Sequence, residues 1–221
     1  TMNFAIIAQQ LVSGMGSSLM IFVLTLLFSM PLGLLVAFGR MSKIKPLQAV
    51  IKVFIAILRG TPLMLQLLVV NFAPYYLFRI SLPRWYRFAA IIIGFSINYA
   101  AYFAEIYRSG IESIPKGQYE AASVLGYNKN QTFFRIIFPQ MVKRVLPPVT
   151  NEVITLVKDT SLARIIALQE IIWAGQAFMK GSHGISGAIW PLFFTAVYYL
   201  IFNGILTVLL GRLEKKLESF R

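Results

Sequence analysis

The chain has no cysteine, one histidine and eight acidic residues against 21 lysines and arginines. The missing cysteine excludes a disulfide framework and a thiolate metal site. The single histidine, His183, sits in Gly-Ser-His-Gly. Neighbours in sequence rarely make a nucleophile–base pair, and no Gly-x-Ser-x-Gly elbow exists, so hydrolase chemistry is not expected. No G-x-x-x-x-G-K-[ST] phosphate loop occurs either, which removes that route to ATP hydrolysis. Nothing from Thr1 to Gly39 is charged. Without a positive n-region, a cleavable signal is not expected. Internal repeats and low-complexity segments are also lacking.

What is present is apolar. Of 221 residues, 57% are hydrophobic, above the usual soluble level of about 45–50%. The chain reads as one polytopic membrane domain over residues 1–221. A spanning helix takes roughly 20 apolar residues. Residues 17–39 form the clearest span, with residues 3–15 expected along the interface. A second span falls within 53–78, broken by Arg59, Gly60 and Pro62. The third covers about 88–108 and the fifth about 186–211. The fourth must fit within about 141–168, where Pro147, Pro148, Glu152, Lys158 and Asp159 make it weak.

Charge placement supports five spans. With the N-terminus outside and the C-terminus cytoplasmic, Arg40 to Lys52, Arg108 to Arg144 and the tail from Arg212 to Arg221 all face the cytoplasm. Those regions hold 14 of the 21 basic residues. Only Arg79, Arg84, Arg87 and Lys180 fall outside, as the positive-inside rule requires. The same rule explains the basic balance through anionic lipid rather than nucleic acid. The expected fold class is an all-α membrane protein.

Residues 109–141 are then a cytoplasmic loop with structure of its own. A helix starts near Tyr119, and Ala121, Ala122 and Gly126 give it a face that another protein can approach closely. Asn128 to Gln131 make a turn. Thr132 to Phe138 form a second short helix, expected to stop at Pro139. The shape suits a docking knob, and equally an ordinary structured loop.

Residues 120–139 carry Glu120-Ala121-Ala122, then Gly126, Ile136, Phe138 and Pro139. This spacing resembles the EAA loop of ABC importer permeases, with Phe138 where that family usually has leucine. ILRGTPLMLQL (57–67), AYFAEIYRSGIESIPKGQYEAA (101–122), VKDTSLA (157–163) and GRLEKKL (211–217) look like the polar amino acid permeases of type I importers. The resemblance implies that residues 119–127, including Tyr119, Glu120, Ala121, Ala122 and Gly126, couple to a separate cytoplasmic ABC ATPase. ATP and magnesium would then bind that partner, leaving this chain without a cofactor. It also implies a second permease subunit, identical or homologous, an external amino-acid-binding protein, and alternating access.

Two polar stripes mark a candidate cavity. Asn98, Tyr102, Glu105 and Ser109 share one face of the third span. Glu152, Thr155 and Asp159 share one face of the fourth. Tyr99, Thr160 and Ser161 lie beside them. A carboxylate at the bilayer centre costs roughly 2.5–3.5 kcal/mol on insertion scales, so each has a partner or a cavity. Glu105 either faces substrate or pairs with Arg108 or Arg59. Asp159 either faces substrate or pairs with Arg164 or caps the segment from Thr160. Arg59 is expected to brace the helix break. Three acids at depth favour a cationic amino acid (arginine, lysine or histidine), with glutamine second. Asn98, Tyr99, Thr160 and Ser161 are expected donors to its carboxylate. An ion-driven carrier would use the same acids but need no docking knob; a purely structural subunit would need neither.

Overall fold

The computed structural model describes residues 4–166 and 184–218. Lys180, His183, Arg221 and the end of the 141–168 segment lie outside the described residues. The regular elements among the described residues are helical.

Helix α1 (Phe4–Arg40) is one continuous rod of 37 residues, about 55 Å long. Residues 4–15 were expected to lie apart along the interface; instead they join the span directly. Gly14 and Gly16 are weak helix formers in water. In an apolar run, however, the helix itself is the only partner for the backbone N–H and C=O groups.

Helices α2 (Lys45–Gly60) and α3 (Leu63–Phe78) meet at Thr61-Pro62 with a bend of 108°. The break falls where Arg59, Gly60 and Pro62 place it. Helix α4 (Tyr86–Glu112) follows a short loop. Then come α5 (Lys116–Val124), the three-residue α6 (Lys129–Gln131), a π-helical stretch (Thr132–Ile137), α7 (Phe138–Asp159) and a 3-10 segment (Thr160–Ile166). Helix α8 (Gly184–Glu218) closes the described chain.

Pro139 does not end a helix, contrary to the sequence expectation. The wider π winding before it lets Phe138 N–H donate to the Phe133 carbonyl, five residues back. Pro139 then occupies the first turn of α7, where an N–H is dispensable. The 109–141 loop therefore runs into α7 without a joint.

Three described helical stretches are long and apolar enough to cross a membrane: Gly14–Arg40, Tyr86–Glu112 and Leu192–Leu217. The bent pair α2–α3 makes a fourth crossing if counted as one. Helix α7 is long enough at 22 residues, but its prolines and charges keep it below that apolar level.

Helix α4 is the hub, packed by α1, α2, α3 and α7. Phe95, Tyr99 and Phe103 on it are buried. Small residues set the approach distances, as in other membrane bundles. A Cβ on Gly33 of α1 would lie 2.7 Å from Phe103 Cβ and 3.1 Å from the Ala100 carbonyl. A Cβ on Gly94 would meet Leu67 Cδ2 of α3 at 2.8 Å, and one on Gly110 would run into Val145 Cγ2 of α7.

Candidate functional site

The break between α2 and α3 exposes the last carbonyls of α2, which no helical turn can satisfy. Gln66 supplies the partner. Its Nε2 donates to the carbonyls of Leu58 (2.9 Å) and Thr61 (3.2 Å) and to Thr61 Oγ1 (2.8 Å). Asn98 Nδ2 of α4 donates to the same Leu58 carbonyl at 3.2 Å and to Gln66 Oε1 at 3.0 Å. Asn98 is buried. The amide expected to meet substrate thus fixes the helix break, the role assigned above to Arg59. Gln66 was not singled out from sequence, although an amide in an apolar helix just past a break was the available signal. Gln66→Leu keeps the volume and removes all four contacts. We expect a loss of about 2 kcal/mol, read as a drop of several degrees in the thermal midpoint of the purified chain.

Arg59 does something else. Its guanidinium lies over the Tyr102 ring, 5.1 Å from the centroid, a cation–π distance. It is exposed and acts electrostatically on both Glu105 and Glu152. One turn back along α4, Tyr99 donates its hydroxyl to Asp159 Oδ2 at 2.7 Å. Tyr99 is the midpoint of α4, thirteen residues from either end, or about 20 Å. Asp159 therefore sits at mid-depth of the bundle although it is the last residue of α7. Asn98, Tyr99 and Tyr102 hold the helix break on one side and the end of α7 on the other.

The three acids are not equivalent. Arg108 grips Glu105 with two nitrogens, Nη2 at 2.7 Å and Nε at 3.1 Å, and Arg40 Nε stands 3.9 Å away. Arg108 also pairs with Glu112. Glu105 is thus the centre of a charge cluster near one end of α4, and the pairing with Arg108 is the alternative realised. Arg40, which joins it from α1, was not anticipated. Glu152 and Asp159 are half-buried and in no ion pair among the described residues. At Asp159 the carboxylate adds to the negative end of the α7 dipole, a place that favours a cation.

The hydroxyls divide similarly. Thr160 is buried and donates to the Val157 carbonyl at 2.7 Å. Ser109 is exposed and donates back to the Ile106 carbonyl at 3.0 Å. Thr155 and Ser161 are half-buried. Of the expected carboxylate donors, Asn98, Tyr99 and Thr160 spend theirs within the protein. That leaves Ser161, half-buried at the start of the 3-10 segment.

In the loop, α5 begins at Lys116, three residues before the expected start, with Pro115 presetting its first turn. Tyr119, Glu120 and Ala121 are exposed, whereas Ala122 is buried beneath them. Gly126 has φ +76°; its N–H donates to the Ser123 carbonyl and Tyr127 N–H to the Ala122 carbonyl, terminating α5. Its glycine is required by that left-handed conformation. Open space surrounds it. An Asn128–Gln131 capping box then starts the next helix. Gln140 of α7 donates to Gln118 of α5 at 3.1 Å, and Arg144 to the Ser113 carbonyl. These contacts tie the knob to α7. At its tip Val124 and Leu125 are 88% and 72% exposed, an apolar pair that sequence reading passed over. A docking role for the loop predicts that Leu125→Asp weakens association with a partner ATPase five- to tenfold. Leu125→Met should not. Co-purification at graded ATPase concentration measures both.

Comparison with known proteins accords with this architecture. Residues 29–219 match the family described as binding-protein-dependent transport system inner membrane component. The L-cystine transport system permease protein TcyB of Bacillus subtilis is 35% identical over 198 residues, covering 90% of this chain and 82% of that one. The glutamine transport system permease protein GlnP of Escherichia coli K12 is 36% identical, covering 94% and 93%. The arginine ABC transporter permease protein ArtM of Haemophilus influenzae is 32% identical, covering 95% and 93%. A crystal structure of an amino acid ABC transporter with histidines superposes with a TM-score of 0.85 at 28% identity, covering 98% of this chain and 99% of that one. An inward-facing structure of the MetNI methionine ABC transporter shares the fold, with a TM-score of 0.67 at 16% identity. The chain belongs to the binding-protein-dependent transport inner membrane component family and is the permease subunit of a type I amino acid ABC importer: a multi-pass inner-membrane transport protein, not an enzyme.

Proposed function

We propose that this permease moves a cationic amino acid by alternating access, with arginine, lysine and histidine as the substrate class. The observation that carries the reading is the state of the acids. Glu105 is neutralised by arginines, while Glu152 and Asp159 form no ion pair among the described residues and Asp159 sits at a helix C-terminus. The substrate side chain would meet Asp159 and Glu152. Its carboxylate would meet Arg59 and Ser161, with Tyr99, Tyr102 and Thr155 shaping the space between. Two copies, or this chain and a homologue, would pair, each crossing five times with the N-terminus outside. Residues 119–127 would dock on the ATPase, and an external binding protein would deliver substrate. The relatives' names span arginine, glutamine and cystine, so glutamine is the second reading.

The test is ATP turnover by the transporter reconstituted with its ATPase and binding protein, against arginine, lysine, histidine, glutamine and cystine. Stimulation by the cationic members is expected. Stimulation by glutamine or cystine alone would overturn the substrate class. Transport without ATP would overturn the coupling.

A further inference from the structure

We propose that the α3–α4 corner, at the end of α4 remote from the docking loop, is a binding site for one anionic phospholipid. Arg84 and Arg87 line a cleft of about 260 Å³ there, together with Asn71, Ser81 and Tyr75. Among the described residues no carboxylate lines it, and neither Arg84, Arg87 nor the neighbouring Arg79 forms an ion pair. The loop is set by its backbone: Arg79 takes φ 57° and its N–H donates to the Tyr75 carbonyl.

A second space borders the cleft. An apolar groove of about 500 Å³ runs along α3 from Leu68 to Leu77 and shares Phe72 with the cleft. Its ten-residue run is about 14 Å long, close to the depth of one leaflet of a roughly 30 Å hydrocarbon core. Tyr76 and Trp85 are each 69% exposed, as residues at a membrane–water boundary are. Guanidinium groups at the boundary and an apolar channel one leaflet deep below them match a phosphodiester headgroup and its acyl chain. A zwitterionic headgroup would bring a second cation against the arginines, so a net negative one fits. A water-borne acidic protein would reach the arginines but not the groove.

The experiment is photolabelling of the assembled transporter in mixed micelles. Phosphatidylglycerol carrying a diazirine on its acyl chain is compared with phosphatidylcholine carrying the same group. Phosphatidylglycerol is expected to label the 68–77 peptide about tenfold more efficiently. Arg84→Gln with Arg87→Gln should abolish that preference, and the paired lysine substitutions should keep most of it. Unchanged thermal midpoint and ATP turnover check that the glutamine variant is folded; if it is not, the headgroup preference of the unaltered chain still decides. Equal labelling by both lipids, or a preference that survives the glutamine substitutions, would overturn the site. Displacement by millimolar glycerol phosphate would make it a free-anion site and also overturn it. So would a Phe72→Cys disulfide between two copies that excludes the lipid.

Discussion

Asp159→Asn is expected to lower arginine-stimulated ATP turnover at subsaturating arginine by about 10- to 100-fold. The substitution keeps an oxygen that accepts from the Tyr99 hydroxyl, now 2.7 Å from Asp159, and removes only charge. At an effective dielectric near 20, a charge pair at 4 Å is worth about 4 kcal/mol before desolvation. A net 1–3 kcal/mol is reasonable for a hydrogen-bonded ionic contact, and each 1.4 kcal/mol is tenfold. Glutamine, if transported, should lose little, because its side chain carries no charge. Glu105→Gln makes the contrast. It leaves Arg108 and Arg40 without their shared carboxylate, so stability should fall while the ranking of substrates is kept. Equal losses for arginine and glutamine in Asp159→Asn would assign that residue a structural role.

The larger effect on folding is expected at Gly33. Gly33→Val should cost about 3 kcal/mol or more and lower the thermal midpoint by some 5–10 °C. Its Cβ would sit 2.7 Å from Phe103 Cβ, with the Ala100 carbonyl at 3.1 Å and the Ala104 nitrogen at 3.3 Å. None of these is the free end of a flexible side chain, so relief requires α1 and α4 to separate. Even Gly33→Ala should be damaging. Gly16→Val, with nothing within 4 Å of its Cβ, should be nearly neutral. Thermal unfolding followed by fluorescence in detergent compares the three. Similar midpoints for Gly33→Val and the unaltered chain would mean that this contact does not hold the bundle.

The two outcomes draw on different amounts of sequence information. The place of the break at Arg59-Gly60-Thr61-Pro62 was legible because proline and glycine act locally. Its 108° angle was not, since it depends on Gln66 and on Asn98, forty residues from the Leu58 carbonyl it holds. The pairing of Glu105 with Arg108 was open from i,i+3 spacing. Tyr99 and Asp159 were both selected, yet their contact spans 60 positions, and no periodicity reaches across that distance. Pro139 misled for a different reason. Proline stops an α-helix, but the preceding π winding shifts the hydrogen-bond ladder so that no donor is missed there. Gly126 was read as room for a partner; its positive φ is a second reason for glycine that the spacing did not reveal. The three acids were identifiable as costly charges, but only the third dimension separates Glu105, held by Arg108, from Glu152 and Asp159, which form no ion pair among the described residues.

The unbroken run from the docking loop through Pro139 into α7 has a mechanical consequence. Were Pro139 a stop, a push on the loop would dissipate in a flexible elbow. As it is, the 22 residues of α7, with Pro147 and Pro148 inside it, run on helically for about 33 Å, with the loop at one end and Asp159 at the other. A tilt of about 10° about the loop end would sweep Asp159 through about 6 Å, several times the tolerance of a hydrogen bond. On the alternating-access reading proposed above, the Tyr99–Asp159 contact would act as a latch at the tip of a lever. It would open or close in one stroke, at a depth where the carboxylate is otherwise costly to uncover.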